Sequence, residues 1–420
     1  MLSSRLDERL QGRLDTVRER GLWRTTRILD GPQAPEQIID GRPMLAFCSN
    51  DYLGLASDPR VVAAVHQGLD RYGLGAGAAH LVNGHTRAHE ELEEALAAFT
   101  RRPAALLFST GYMANLGMLQ TLTGRHDEVF EDRLNHASLI DAVRLAGVHV
   151  RRYRHTDPED LERRLSAAAS GRPRLVVTDG VFSMDGDLAP LPALALTARN
   201  HGATLVVDDA HGLGVLGERG DGSCGHFGLG AEDVPVLMGT LGKAVGSAGA
   251  FVAGSATVIE SLRQFARSYV YTTAMPAALA VGTRVAVELV QTESWRRERL
   301  GHLIARLREG LRHIGLPPGP GSTPIQPVLL GSARAASTVA AALYDNGLLV
   351  PAIRPPTVPE GTARLRITLS ARHTDHQVDR LVETLQAVMR ALPADTEPQP
   401  LSNASQNRDT IAQGDTSECP

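Results

Sequence analysis

The 420-residue sequence lacks any long hydrophobic run, and it has few cysteines. No stretch approaches the roughly 18 to 20 consecutive apolar residues of a membrane-spanning helix. The N-terminal stretch MLSSRLDERLQGRLDTVRERG carries acids and arginines and no apolar core, so we expect no signal peptide. Cys48, Cys224 and Cys419 have neither the spacing of metal ligands nor that of a disulfide framework, which predicts a reducing, cytoplasmic location.

A strong charge of one sign is also absent. The 43 lysine and arginine residues nearly balance the 47 acidic residues, which gives a formal net charge of -4. This balance gives no reason to expect nucleic acid or an anionic membrane as a partner. With 420 residues, 43% of them hydrophobic, the chain is long enough to form two or three domains with well-buried cores.

Short runs rich in β-branched residues alternate with helical stretches in the large central part of the chain, residues 46–275. Examples are ALLFST before GYMANLGMLQTL, RLVVTDG before LPALALTARNHG, and ATLVVDDAHG before VPVLMGT. Fully apolar strands that alternate with helices predict an α/β fold with a mainly parallel sheet covered on both faces. In such a sheet the carboxyl ends of the strands, and the loops that follow them, line one edge.

The two ends of the chain have different patterns. Residues 1–45 are predicted to form an N-terminal helical segment that lies on the rest of the protein. Residues 276–393 begin with a long helical stretch and continue as a smaller α+β unit, so we predict a C-terminal domain there. Residues 394–420 are polar and nearly free of large apolar residues, which predicts a disordered tail.

Lys243 follows the apolar run VPVLMGT and has small residues on both sides, in GTLGKAVGSAG. A phosphate-binding P-loop needs G-x-x-x-x-G-K-[ST], but Gly239 and Gly242 are only three apart and Ala244 stands where the hydroxyl residue is needed. Two interpretations remain at this point. Lys243 is either an ordinary lysine in a glycine-rich turn or a catalytic lysine, whose pKa falls on burial and which forms Schiff bases.

Asp208 ends the apolar run ATLVVD, and His211 follows three residues later. A carboxylate at that position needs a cation or a hydrogen-bond donor, because an isolated buried charge is costly. It either caps the following turn or holds a protonated heterocycle, and the D-x-x-H spacing brings His211 to the same ligand. The G-x-G-x-x-G at Gly212, Gly214 and Gly217 does not open a helix, so we reject a dinucleotide site.

No metal site is predicted. Asp208 and His211 supply only two ligands, and no further ligand stands at a suitable spacing. His85 and His89 lie one helical turn apart in GHTRAHEELEEAL, but a zincin needs H-E-x-x-H. We therefore interpret both histidines as solvated residues on a helix face.

An aspartate and a lysine at the ends of successive strands suggest pyridoxal 5′-phosphate (PLP) chemistry. The lysine binds the cofactor, and the aspartate keeps the pyridine nitrogen protonated so that the ring accepts electrons. A phosphate site is predicted in STGYMAN, where a strand is followed by Gly111 and a helix whose N-terminus faces an anion. His136, in DRLNHASL, precedes another helix and supplies a flat group that stacks on a ring.

Seven motifs, in order along the chain, resemble those of the α-oxoamine synthases, which are PLP enzymes of fold type I. They are CSNDYLGL, STGYMAN, LNHASL, GVFSMDGD, VDDAHG, GTLGKA and AIRPPTVPEGTARLRITLS, and the resemblance covers about residues 5–390. It implies a large domain with a mainly parallel, seven-stranded sheet, a small C-terminal α+β domain and a homodimer. Lys243 resembles the Schiff-base lysine of the family, and its small neighbours let the cofactor approach the backbone closely.

The resemblance also implies roles for individual residues. The expected catalytic residues are Lys243, His136 and Asp208. The expected cofactor-binding residues are Gly111, Tyr112, His136, Ser183, Asp208, His211, Thr240, Lys243, Thr272 and Thr273, with Thr272 or Thr273 reaching the phosphate of the neighbouring subunit. The expected substrate-binding residues are Arg24, His136, Arg354 and Thr357. Arg354 is expected to take the amino-acid carboxylate by a bidentate contact, and Arg27 is the alternative to Arg24 for the acyl substrate.

Within this family, the resemblance is strongest to the members that act in biotin biosynthesis. It implies the condensation of L-alanine with a pimeloyl thioester of CoA or of acyl-carrier protein, with loss of CO2 and release of the thiol. RPPTVP and an arginine-bearing N-terminal segment favour this reaction over those of the glycine-using glycine C-acetyltransferases and 5-aminolevulinate synthases. A PLP aminotransferase of the same fold, or a PLP-binding protein without turnover, is the more distant alternative.

Overall fold

The structure is a computed structural model that describes residues 4–168 and 171–392. The predicted disordered tail, residues 394–420, and Cys419 lie outside the described residues. The helices are α1 (Arg5–Glu19), α2 (Pro59–Tyr72), α3 (Arg87–Thr100), α4 (Gly111–Leu122), α5 (Ala137–Ala146), α6 (Pro158–Ser166), α7 (Leu191–Asn200), α8 (Gly222–Phe227), α9 (Ala256–Phe265), α10 (Arg267–Val270), α11 (Ala277–Thr292), α12 (Ser294–His313), α13 (Ala333–Asp345) and α14 (Asp375–Arg390), with a π-helical turn at His80–Gly84. The strands are β1 (Leu29–Asp30), β2 (Glu36–Ile39), β3 (Arg42–Ala46), β4 (Ala104–Phe108), β5 (Glu128–Asp132), β6 (His149–Tyr153), β7 (Arg174–Asp179), β8 (Thr204–Asp208), β9 (Val236–Thr240), β10 (Ala250–Gly254), β11 (Ile325–Gly331), β12 (Leu348–Leu349), β13 (Ala352–Ile353) and β14 (Ala363–Thr368). Among these helices, none has both the length and the apolar character to cross a lipid bilayer.

Seven strands form the central sheet, in the order β4-β10-β9-β8-β7-β5-β6. β10 runs antiparallel to both of its neighbours, and the other four pairings are parallel, so the predicted mainly parallel sheet is confirmed. Both faces are covered. Val206 and Val236 belong to one apolar cluster, whereas Val207 and Leu237 belong to another on the opposite face. Burial on both faces explains why these strands are continuous apolar runs in the sequence.

The C-terminal part contains a three-stranded antiparallel sheet in the order β11-β14-β13. α13 packs against this sheet and against α14, and the predicted long helical stretch forms α11 and α12. α11 packs in turn on α2 and α3. One continuous apolar cluster joins the large and the small parts, and it includes Leu107, Phe251, Leu343 and Leu381. The small part is therefore fixed firmly to the large part by shared core packing.

The predicted N-terminal helical segment, residues 1–45, is only partly helical, and this prediction was wrong in its second half. The helix ends at Glu19, and β1, β2 and most of β3 follow it. Asp40 and Gly41 have φ values of 51° and 75°, and they form the two-residue turn between β2 and β3. Asp-Gly is a strong signal for such a hairpin turn, because both positions require positive φ. α1 itself buries no residue on the rest of the chain, contrary to the expectation that it lies on the protein body.

The N-terminal strands belong to a second small sheet, in the order β1-β2-β3-β12. β12 comes from the C-terminal part and pairs in parallel with β3, with Leu45 opposite Leu348. The backbone N–H of Phe47 continues this pairing by donating to the carbonyl oxygen of Leu349 at 2.9 Å. The beginning and the end of the chain are thus joined in one sheet.

Candidate active site

Lys243 lies in the loop after β9, at the carboxyl edge of the central sheet. Its Nζ is 2.9 Å from Nε2 of His211, which follows the neighbouring strand β8. Burial lowers the pKa of Lys243 to about 8, against the opposite effect of the carboxyl groups of Asp208 and Asp179. Such a lysine is partly neutral near neutral pH, so its amine is available as a nucleophile and a base. Lys243 is also the only lysine in the sequence.

Asp208 ends β8 and is almost fully buried. Its Oδ2 accepts a hydrogen bond of 2.7 Å from Nδ2 of Asn115, and its Oδ1 accepts one of 3.0 Å from the backbone N–H of Ala210. Asp179 occupies the matching position at the end of β7. Burial, and then the charge of Asp208, raises the pKa of Asp179 well above its usual value, which favours the protonated form of Asp179.

His136 precedes α5 and is linked to Asp208 through two side chains. Its Nδ1 is 2.7 Å from Oγ of Ser138, and that hydroxyl accepts a hydrogen bond of 2.8 Å from Nδ2 of Asn115, the amide that also binds Asp208. The backbone N–H of His136 donates to Oδ2 of Asp179 at 2.8 Å. Burial lowers the pKa of His136. The charge of Asp208 opposes this effect and that of Lys243 adds to it, and the net lowering favours the neutral ring.

His211 is held from its other side by residues that the sequence analysis did not single out. Its Nδ1 is 2.7 Å from the hydroxyl of Tyr52, which donates to Oδ1 of Asn50 at 3.1 Å. Nη1 and Nη2 of Arg366 are each 3.4 Å from the same oxygen. The signal for these residues was present, because Asn50 and Tyr52 lie in CSNDYLGL and Arg366 lies in ARLRITLS, two of the motifs that carry the resemblance.

The predicted phosphate-binding residues lie around the N-terminus of α4. A Cβ atom on Gly111 would stand 4.0 Å from Oγ1 of Thr240, so these two residues are neighbours. Thr110 caps the helix by accepting a hydrogen bond from the backbone N–H of Met113 at 3.2 Å. The side chain of Tyr112 is 43% exposed, and its hydroxyl donates to Asp141. The open, positive end of α4 is therefore suited to an anion, and Thr240, whose hydroxyl donates to the carbonyl oxygen of Gly249 at 3.2 Å, lies beside it.

Of the other predicted residues, Ser183 contacts Arg366, and Arg354 contacts the N-terminal segment. The backbone oxygen of Ser183 accepts a hydrogen bond of 2.6 Å from Nε of Arg366. Nη1 of Arg354 donates to the backbone oxygen of Gly21 at 2.6 Å and contacts the Ser337 hydroxyl at 3.3 Å. The remaining three residues lie in loops: Thr357 donates its backbone N–H to the carbonyl of Arg354, and Thr272 and Thr273 lie between α10 and α11, where Thr273 forms a bridge with Ala79.

A cavity of about 460 Å³ opens beside Lys243. Its lining residues come from the N-terminal strands, the CSNDYLGL segment, the Lys243 loop and β12, and they are Arg27, Leu29, Gln33, Gln37, Ile39, Cys48, Ser49, Asn50, Asp51, Ala56, Gly242, Lys243, Gly246, Ser247 and Leu349. Both arginines are exposed, but only Arg27 is one of the lining residues. The guanidinium of Arg27 pairs with Asp40 at 3.1 Å and lies 4.0 Å over the ring of Tyr344.

The interpretation of His85 and His89 as solvated helix-face residues was wrong. His89 is fully buried, because α3 packs against α11, and its Nε2 is 2.8 Å from the carbonyl oxygen of Met275. Its Nδ1 accepts a hydrogen bond of 2.9 Å from the backbone N–H of Thr86. His85 is partly buried, and its Nδ1 is 2.8 Å from Nδ1 of His80. Ring nitrogens of these three histidines lie within 4.8 Å of one another, but both nitrogens of His89 are already bonded within the chain.

The residues at the carboxyl edge fit the PLP that the sequence suggests. Lys243 supplies an amine, and α4 supplies an N-terminus for a phosphate. Asp208 supplies a buried carboxylate whose two hydrogen-bond donors, the Asn115 amide and the Ala210 N–H, are both neutral. A buried carboxylate with only neutral donors is suited to a protonated ring nitrogen, because the cation offsets the cost of burying the negative charge.

Comparison with known proteins agrees with this fit. The family described as "Aminotransferase class I and II" matches residues 42–385. The chain is 62% identical to the 8-amino-7-oxononanoate synthase of Thioalkalivibrio sulfidiphilus, over 91% of this chain and 97% of the relative, and 60% identical to that of Nitrosococcus oceani, over 88% and 97%. Among solved structures, a variant of serine palmitoyltransferase from S. paucimobilis with a bound PLP–myriocin aldimine has a TM-score of 0.87, with 32% identity over 93% of this chain and 99% of that one.

Proposed function

Because the chain belongs to the class I and II aminotransferase family and, within it, to the 8-amino-7-oxononanoate synthases, we propose that it makes 8-amino-7-oxononanoate in biotin biosynthesis. In this reaction L-alanine condenses with a pimeloyl thioester, CO2 is lost and a free thiol is released. The fold is that of the fold type I PLP enzymes, and PLP is the cofactor. The observation that carries the proposal is the position of the Lys243 amine, which lies 2.9 Å from His211 and also lines the cavity beside Arg27.

The cofactor is proposed to lie between Lys243 and the N-terminus of α4. When bound, PLP supplies a ring that withdraws electrons from the Cα of an amino acid. Asp208 would hold the proton on the ring nitrogen, His136 would lie against the ring face, and His211, with Ser183, would lie at the ring hydroxyl. Asp208 is buried with two neutral hydrogen-bond donors, so a cationic ring nitrogen beside it would offset the cost of burying its charge. The lowered pKa of His136 favours an uncharged imidazole against the ring face.

The phosphate is proposed to lie at the open end of α4. Backbone N–H groups of Gly111 and Tyr112 and the hydroxyl of Thr240 would hold it, with the positive end of the helix dipole behind them. In the proposed homodimer, Thr272 or Thr273 of the second subunit would complete this site. Their loop position, with Thr273 exposed and Thr272 half-buried in the single chain, is compatible with contact to a second copy.

Lys243 is the proposed base that removes the Cα proton of alanine. Since its pKa is about 8, an appreciable fraction of the amine is neutral near neutral pH and has a lone pair for that proton. Nε2 of His211 orients the amine by a contact of 2.9 Å. The carboxyl group of Asp208 stabilises the ammonium group that forms.

The carboxylate of alanine is assigned to Arg366 together with Asn50, rather than to Arg354. The Arg366 guanidinium is buried near Lys243, since its charge lowers the pKa of that lysine. Its hydrogen bonds go to neutral oxygens of Asn50 and Ser183, which leaves its charge for a substrate carboxylate. Arg354, by contrast, donates to the carbonyl oxygen of Gly21 in the N-terminal segment, and it is not among the charges that act on Lys243.

The cavity beside Lys243 is the proposed site of the acyl chain. A pimeloyl group has a run of methylene groups that ends in a second carboxylate. Leu29, Ile39 and Leu349 supply apolar surface for the methylene groups, and Arg27 supplies a positive charge for the carboxylate. The thioester end would then lie toward Lys243.

The experiment that tests this function measures thiol release by the purified full-length protein loaded with PLP. L-Alanine and glycine are each combined with pimeloyl-CoA, pimeloyl-acyl-carrier protein, acetyl-CoA and succinyl-CoA, and products are identified by mass. We expect turnover only with L-alanine and a pimeloyl thioester. Preferred turnover of glycine with acetyl-CoA or succinyl-CoA would overturn the proposal, and transamination of alanine without thiol release would identify an aminotransferase.

A further inference from the structure

A continuous chain of hydrogen bonds connects the Lys243 amine to a buried guanidinium. Nζ of Lys243 is 2.9 Å from Nε2 of His211, and Nδ1 of the same ring is 2.7 Å from the hydroxyl of Tyr52. That hydroxyl is 3.1 Å from Oδ1 of Asn50, which faces Nη1 and Nη2 of Arg366 at 3.4 Å each. His211 and Tyr52 are buried, so the protein rather than water decides where each proton lies.

The donor and acceptor of each hydrogen bond in this series follow from the end at Arg366. A guanidinium has donors only, so the atom of Asn50 that faces Arg366 is the accepting oxygen and not the amide nitrogen. The Tyr52 hydroxyl, 3.1 Å from the same oxygen, must point its single proton at it. Toward His211 the hydroxyl therefore presents a lone pair. Nδ1 of His211 must carry the ring proton, and Nε2 is left as an acceptor that faces Lys243.

The opposite arrangement is unfavourable. If the Tyr52 hydroxyl gave its proton to Nδ1 of His211, two oxygen lone pairs would face each other across 3.1 Å in a buried position. Full protonation of the ring is also excluded, because burial holds the pKa of His211 well below its usual value, with Lys243, Arg366 and His136 acting in the same direction. Burial raises the pKa of Tyr52 to about 12, so the phenol keeps its proton.

We propose that Tyr52 is a positioning residue that fixes the tautomer of His211, so that Nε2 accepts a hydrogen bond from Lys243 whenever that amine is free. This inference rests on the proposed function, in which the free amine of Lys243 takes up a proton. An acceptor at Nε2 stabilises the ammonium form of Lys243, whereas an N–H at Nε2 would stabilise the neutral amine. The hydroxyl of Tyr52, which does not contact Lys243 itself, would thereby influence the protonation of the lysine.

Removal of the hydroxyl should therefore change the titration of Lys243. In Tyr52→Phe, Nδ1 of His211 loses its acceptor, and the tautomer that carries the proton on Nε2 becomes the better one. The other groups that face Lys243, which are Asp208, Asp179, His136 and Arg366, stay in place. We expect the midpoint of Lys243 to fall from about 8 by about one pH unit.

Competitive acetylation of the full-length, cofactor-free protein measures this midpoint directly. Lys243 is the only lysine, so the peptide that contains it reports one side-chain amine without interference. Tyr153→Phe is the matched control, because Tyr153 is also fully buried but lies on β6 without a contact to His211, and it should leave the midpoint unchanged. Asn50→Ala is a second variant. It keeps Tyr52 but frees its proton to turn toward His211, so it should shift the midpoint in the same direction.

A double variant separates this role from a general structural one. In a His211→Leu background, Tyr52→Phe should have no further effect on the midpoint, because the hydroxyl acts through the imidazole. An unchanged midpoint in Tyr52→Phe, or an equal shift in the His211→Leu background, would overturn the proposal. The labelling needs neither cofactor nor substrate, so a failure of the proposed acyl transfer would appear in the thiol-release assay and not in this one.

Discussion

Asp208 and Asp179 stand side by side at the carboxyl ends of two adjacent parallel strands, but their hydrogen-bond partners differ. Burial and the charge of Asp208 raise the pKa of Asp179 well above its usual value, and Asp179 accepts only a backbone N–H from His136. Asp208 accepts two hydrogen bonds, from Asn115 and Ala210. Asp208 is therefore the one of the two carboxyl groups that we propose as the partner of the ring nitrogen.

Asp208→Asn keeps the shape of this side chain and removes its charge. We expect turnover to fall by at least about 100-fold, or about 2.7 kcal/mol of barrier, because a neutral amide cannot stabilise a protonated ring nitrogen. Steady-state assays with alanine and pimeloyl-CoA measure the change. Asp345→Asn, at the exposed end of α13, is the control. A rate close to that of the unmodified protein would mean that Asp208 only caps the turn after β8.

Lys243→Ala should abolish turnover, because the chain has no other lysine to replace it. The loaded protein should be yellow, with absorption above about 400 nm, and the variant should lose this absorption. Borohydride reduction of the loaded protein, followed by peptide mass analysis, should find the cofactor on the single peptide that contains Lys243. Cofactor mass on another peptide, or full activity of the variant, would contradict the assignment.

Arg27→Ala should raise the KM for pimeloyl-CoA by ten- to a hundredfold, which corresponds to the loss of a charged contact of about 1.5 to 3 kcal/mol. The reason is that Arg27 lines the cavity beside Lys243. Arg24→Ala is the matched control and should change this KM little, and the KM for alanine should stay constant in both variants. The reverse result would assign the acyl carboxylate to Arg24, the first choice from the sequence. An unchanged KM for pimeloyl-CoA in both variants would mean that another group binds this carboxylate.

His155 should stabilise the fold in a pH-dependent way. Its Nδ1 and Nε2 lie 3.0 Å from Asp132 and 2.9 Å from Asp187. Burial alone would lower the pKa of His155, but these two carboxylates outweigh it and raise the pKa to about 9. Since the unfolded pKa is about 6.5, the stabilisation is fully present below pH 6.5 and is lost as the pH rises through 9.

The measurement is the Tm of His155→Gln against that of the unmodified protein across this pH range. We expect the variant to be less stable at pH 6 and the difference to shrink steadily toward pH 9.5. His201→Gln, which removes a partly exposed histidine paired with Glu162, is the control and should show a much smaller effect. A difference that is constant with pH would show that His155 acts through packing rather than charge.

The centre of the fold could be predicted because its strands are buried on both faces. β7 and β8 are apolar in their middle and end at Asp179 and Asp208, and β9 is apolar up to Thr240. Asp208 could be selected because it ends such a run, and Lys243 because it is the charged residue in the loop after β9. The structure brings the two together at one edge of the sheet. Asp179 ends β7 in the same manner, so the signal that identified Asp208 also pointed to Asp179.

Residues whose role depends on packing between distant segments could not be found in this way. In the sequence, Tyr52 resembles an ordinary aromatic residue in a loop. Only the folded structure shows that its hydroxyl lies 2.7 Å from Nδ1 of His211. In the sequence, His89 resembles a solvated residue, but in the structure α11 packs on α3 and buries it. The hairpin at Asp40 and Gly41 is different. Its Asp-Gly turn signal is local, so the sequence alone is sufficient to predict it.

The parallel pairing of β3 with β12 has a consequence for the order in which the protein forms during synthesis. β3 leaves the ribosome about 300 residues before its partner, which at about 5 to 20 residues per second is a delay of roughly 15 to 60 s. Until then the N-terminal strands have an open edge, which is a site for mispairing. Leu349 of β12 also lines the cavity with Leu29 and Ile39. A nascent chain that stops before residue 348 would therefore contain Lys243 and Asp208 but would lack one wall of the acyl pocket.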